Sequence, residues 1–176
     1  MAARYTIARK KAQELLGQAG VTAAPVPVER LASLLGATIR YEPFEGDLSG
    51  MVHRRADGRA VIGINSLQPT VRKRYTIAHE LGHLLLHADD EFHVDERNPI
   101  GFRTSASSLG TDDKEIEANQ FAAELLVPRE FISRDVAALL DTSRQHLEDF
   151  IEEFATRYQV SVQTMTIRLS KLHLLW

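Results

Sequence analysis

His79-Glu80-Leu81-Gly82-His83 stands inside a helical apolar pattern, Val71, Tyr75, Ala78, Gly82 and Leu86, that follows Pro69 and predicts a helix over about 70–87. Residues four apart on a helix turn through about 400° and rise about 6 Å, so both imidazoles project from one face and can share one metal ion. Glu80 follows the first imidazole directly. Its carboxylate is angled to face water activated at such a metal rather than the metal itself, the place of the general base in a zinc peptidase. Composition alone would produce the H-E-x-x-H pattern in a shuffled chain with a probability of roughly 0.02, so its surroundings have to carry the reading.

On the N-terminal side, Ile7, Ala8, Ala12, Leu15 and Leu16 form the stripe of a helix over 4–17. A short helix from Val28 to Leu35 has Pro27 at its first turn and Gly36 just past its end. The period then changes to two. Thr38 to Glu42, Gly50 to Arg55 and Arg59 to Asn65 alternate as strands, the last two joined by the hairpin signal Ala56-Asp57-Gly58. Beyond the central helix, residues 88–110 are polar and irregular, with a short strand around Phe92-His93-Val94. Helices follow at about 112–126, stopped by Pro128, then at 129–140, at 144–158, and at 162–173 behind Ser161 as a cap. The order predicts an α+β fold in a single domain over 1–176. It would be a small antiparallel sheet packed on a zincin-like helical core, with the C-terminal helices (about 129–176) laid against it.

Composition narrows the chemistry. The chain has 176 residues, 44% of them hydrophobic and 26% charged, as expected of one globular domain. With no cysteine, disulfides, iron–sulfur clusters, thiolate zinc sites and cysteine nucleophiles are all excluded, and any metal must be held by His, Asp or Glu. The opening Met-Ala-Ala-Arg has no apolar run behind it, and no stretch approaches the 18 or so apolar residues of a membrane span, so the cytoplasm is the expected compartment. The net charge of −3 divides into +6 over residues 1–78 and −9 over 79–176. The basic pieces Arg9-Lys10-Lys11 and Arg72-Lys73-Arg74 read as solvated helix faces, or else as a basic rim beside an acidic cleft.

A peptidase site needs a third ligand. The metzincin continuation fails, because Leu86 and Asp89 stand where Gly and His would be required. His87 lies about 12 Å along the axis from His79, too far to converge on the same ion. The gluzincin pattern, a Glu on a later helix with a polar residue four positions on to orient a ligand histidine, is offered by Glu115 and Asn119. Gly82, Ala118 and Ala122 are small enough to let the two helices approach closely. Glu117 stands as the alternative ligand.

The stretches Arg74-Tyr75-Thr76-Ile77-Ala78-His79-Glu80-Leu81-Gly82-His83-Leu84-Leu85-Leu86-His87 and Glu115-Ile116-Glu117-Ala118-Asn119-Gln120-Phe121-Ala122-Ala123-Glu124-Leu125-Leu126-Val127-Pro128 resemble the ImmA/IrrE-type metallopeptidases. Pro27 to Ala32, Ser49-Gly50 and Ile64-Asn65 add weaker support, and the likeness covers about residues 10–175. It implies His79 and His83 as zinc ligands, Glu80 as catalytic base and Glu115 as third ligand. Val127 stands where Met is more usual, and Asn119 where some relatives have Asp, which would orient a ligand histidine less strongly. The resemblance further implies cleavage of a helix-turn-helix (Xre-type) repressor encoded nearby, and some members look like toxin partners of such repressors. Three N/O ligands leave one position for water and admit Zn2+ or Mn2+. Glu80 would take a proton from the attacking water and deliver it to the leaving amine, with His93 and Tyr158 as candidates for stabilising the oxyanion.

Phe154 to Leu172 also reads as helix–turn–helix, which raises DNA binding as a rival. Residues 144–176 hold Arg144, Arg157, Arg168 and Lys171 against Glu148, Asp149, Glu152 and Glu153, a neutral balance without the basic stripe that DNA requires. Packing of these helices on the core is the better account. The other rival is a binding-only toxin or regulator, its metal site covered by the loop at 88–110 or by Trp176.

Overall fold

The computed structural model describes residues 4–46, 48–88, 90–96, 109–140 and 147–174; Trp176 and most of the loop at 88–110, the two expected covers of the site, lie outside them. The described elements run α1 (Tyr5–Gln18), α2 (Val28–Leu34), β1 (Ala37–Glu42), β2 (Leu48–Arg54), β3 (Ala60–Asn65), α3 (Thr70–Leu86), β4 (Phe92–Glu96), α4 (Leu109–Leu126), α5 (Arg129–Leu140), α6 (Leu147–Tyr158) and α7 (Val162–Lys171). The architecture is α+β, as the order of periodicities predicts.

The sheet has the order β1-β3-β2-β4. β2 and β3 form the expected hairpin, closed by Asp57, whose Oδ1 accepts from the Arg59 amide at 3.0 Å, and by Gly58 at φ +82°. β4 adds to β2 antiparallel, whereas β1 runs parallel to β3, so the sheet is mixed rather than antiparallel. The chain leaving β1 crosses the end of β3 before entering β2. Buried Asn65 holds that crossing, accepting from the Phe44 amide at 3.4 Å and donating to the Leu48 carbonyl at 2.9 Å. Alternation of side chains has period two in either direction, so it carries no information about strand sense.

α3 packs on β2 and β3 and is covered in turn by α4, with α1 beyond. Ile62 and Ile64 of β3, Ile77 and Leu81 of α3, and Phe121 and Leu125 of α4 form the centre of the core, all fully buried. At the C-terminal end, Ser161 caps α7 by accepting from the Thr164 amide at 3.1 Å. α7 turns Arg168 inward, not toward solvent: it is 4% exposed, pairs with Glu124 and donates to the Val127 carbonyl at 2.9 Å. No helix among the described residues is long and apolar enough to cross a membrane.

Candidate metal centre

α3 presents His79 and His83 one turn apart, 3% and 2% exposed, with their Nε2 atoms 3.1 Å from each other. Glu115 of α4 reaches both, its Oε2 lying 3.2 Å from His79 Nε2 and its Oε1 3.2 Å from His83 Nε2. His93 of β4 closes the group, stacked on the His83 ring at 3.5 Å with its Nε2 3.4 Å from Glu115 Oε1. One donor atom from each of the four falls within 4.8 Å of the others. Ligand atoms about 2.1 Å from a tetrahedral ion are about 3.4 Å apart, so these separations are those of a coordination shell. Two imidazole Nε2 atoms facing each other cannot both present lone pairs unless a proton or a cation lies between them. The donor set therefore fits a divalent metal.

The approach of the helices depends on missing side chains. A Cβ added to Gly82 would sit 3.0 Å from the Ala118 Cα and press α4, the helix that carries Glu115 to the imidazoles, away from α3 by a few tenths of an ångström. A Cβ added to Gly50 of β2 would sit 2.4 Å from Thr76 Cγ2 and 3.2 Å from Glu80 Oε1. Glu80 is fully buried under this strand, beside the histidine cluster.

The electrostatics follow the geometry. Burial would raise the Glu115 carboxyl, but hydrogen bonds and charge from His79 and His83 outweigh it and hold the group well below the usual carboxylate range. Burial lowers His83, an effect only partly opposed by Glu115, and so favours the neutral imidazole that metal ligation requires.

Of the other residues singled out from sequence, each has a definite place. His87 turns away, with Nε2 3.2 Å from the Lys114 carbonyl and Nδ1 3.9 Å from Glu117. Glu117 is taken by Arg4, which donates from its backbone amide at 2.8 Å and from its guanidinium at 2.9 Å, so it does not serve the cluster. Asn119 orients no histidine; its Oδ1 accepts from the Tyr75 hydroxyl at 2.8 Å. Tyr158 is engaged by other partners. It is buried against Phe154 and donates to Asp135 at 2.8 Å, which places it among the structural groups of α5 and α6. His93, expected at the oxyanion, enters as a fourth potential ligand. Tyr75 belongs to the apolar stripe of the sequence, yet its spacing from His79 sets it on the same face, and it lines a groove of about 840 Å³ that begins at His79 and Glu115. Nor is Arg72-Lys73-Arg74 a solvated face: Arg74 is buried and donates to the Val26 carbonyl at 2.8 Å, while Arg72 lines the groove.

A solved structure described as a Mycobacterium tuberculosis transcriptional regulator matches with a TM-score of 0.61 at 15% identity, covering 94% of this chain and 46% of that one. The chain thus spans less than half the length of that protein, and at this identity the likeness speaks for the fold alone. No curated protein matches. The model of the Peptidase M78 family, the IrrE N-terminal-like domain, matches residues 32–170. A chain matched over that length, with an H-E-x-x-H helix and a third carboxylate converging on one point, belongs to this metallopeptidase-like family.

Proposed function

We propose that the chain is a metal-dependent endopeptidase that uses Zn2+, or Mn2+, to cleave a partner protein, a helix-turn-helix repressor. The observation that carries this reading is the convergence of His79, His83 and Glu115 at coordination distances beside a buried Glu80. These three residues would hold the metal. When bound, the ion supplies Lewis acidity that polarises a peptide carbonyl and makes water a better nucleophile. Glu80 accepts the proton of the attacking water and returns it to the leaving nitrogen. In this reading His93, although close enough to be a fourth ligand, stays off the metal and donates to the developing oxyanion. Such a repressor acts in the cytoplasm, and so would its peptidase.

The test is incubation of the protein with the repressor encoded beside it, with and without chelator, in wild type and Glu80→Gln. Glutamine keeps the size of the side chain but cannot accept a proton. We expect Glu80→Gln to retain its metal and lose about 10²–10⁴-fold in rate. Loss of the metal as well would make Glu80 a ligand, and undiminished derepression in the variant would leave binding, not cleavage, as the function. The inward turn of Arg168 removes one of the cations a DNA-binding helix would need, which supports the peptidase reading over the DNA-binding one.

A further inference from the structure

The groove that starts at His79 and Glu115 continues along α3 between α4 and α7. Arg72, Tyr75 and His79 line it from one face of α3, while Ile116 and Ile167, both substantially exposed, line it from α4 and α7. Its volume, about 840 Å³, is that of a ligand cleft. Its ionisable lining is lopsided. Glu115 is engaged by histidines and Arg168 by Glu124, which leaves Arg72 and Lys171. Among the described residues neither forms an ion pair; Arg72 donates only to Ser49 Oγ at 3.3 Å, and its buried Nε has no hydrogen-bond partner. A half-buried guanidinium on the wall of a groove of mixed polarity, lying over the Tyr75 ring at 5.8 Å and with no carboxylate partner among the described residues, is a cation that a substrate carboxylate can answer.

Resting on the peptidase reading above, we propose that this groove holds the substrate polypeptide on one side of the scissile bond, and that Arg72 selects an acidic side chain there. The helix sets the spacing. Arg72 lies about 10 Å along α3 from His79, and an extended chain covers that distance in about three residues. The acidic residue therefore falls about three positions from the bond cut, with apolar side chains between it and the metal meeting Tyr75, Ile116 and Ile167. Lys171, at the far end of α7, extends the same preference further along the substrate.

The experiment uses two pools of fluorescent, otherwise randomised decapeptides, one with a fixed Glu and the other with Lys at the same position. Binding is measured by anisotropy with zinc-loaded Glu80→Gln protein. The Glu pool should bind about tenfold or more tightly, the contribution of one charge-assisted hydrogen bond. Adding Arg72→Glu should reverse the preference, and Arg72→Lys should largely keep it. Equal binding of the pools, or a preference that survives Arg72→Glu, overturns the proposal. Mass spectrometry of the Glu pool after digestion by the wild type should put the cut about three residues from the fixed Glu, and cuts scattered with respect to it would overturn the spacing. Glu-dependent binding with no cleavage by the wild type would instead remove the peptidase reading and leave the groove an acidic-peptide site.

Discussion

Glu115 and Glu124 lie on the same helix and are given opposite company. Glu124, 1% exposed, meets the permanent cation of Arg168 and accepts further bonds from Gln13 at 3.1 Å and the Arg129 amide at 3.4 Å. Among the described residues Glu115 pairs only with histidines, His79, His83 and His93, which carry a charge only when protonated. A buried carboxylate with a fixed cation is compensated by the protein and ties elements together, here α1, α4, α5 and α7. A carboxylate with imidazoles alone keeps a charge that a metal can answer. The two ends of α4 therefore divide the work: one fastens the C-terminal helices, the other faces the groove.

The strongest test of this division is Glu115→Ala. We expect it to fold and to lose its stoichiometric metal together with all peptidase activity, whereas Glu117→Ala, which removes only the partner of Arg4, should still bind metal in elemental analysis. The reverse result would transfer the ligand role to Glu117. At the other end, Arg168→Ala strands Glu124 without its cation and should cost about 3–5 kcal/mol in denaturant unfolding. A variant of normal stability would show that the pair is not fastening anything. The smallest effect is that of pH. Protons compete with metal for the imidazoles, so occupancy should fall as pH drops below about 6.5. Because burial depresses His83, its share of the loss should come below that ordinary value, and a midpoint above it in a metal-titration series would contradict the assigned environment.

Much of this was legible because the signals are local. The 3.6-residue stripes, Pro27, Pro128, the Asp57-Gly58 turn and the Ser161 cap each act within a few residues, and the helices fall within a few residues of where those signals put them. The small residues Gly82 and Ala118 announced the close helix pair, and their contact is the one that brings Glu115 to the histidines. What sequence missed depends on partners remote along the chain. The parallel β1 goes with a crossing loop that Asn65, far from β1 in sequence, holds by its side chain. The burial of Arg168 rests on Glu124, which lies on another helix far back in the chain. Tyr158 is claimed by Asp135, and Asn119 by Tyr75, neither of which periodicity can pair.

The bare Cα of Gly50 bears on how this protein can drift over generations. Every other amino acid brings at least the one carbon that would crowd Thr76 and Glu80. One position on β2, a strand that itself supplies no metal ligand, is thereby constrained by the site beneath it. A substitution there would disturb Glu80 and still leave the H-E-x-x-H helix and Glu115 in place and readable in a descendant.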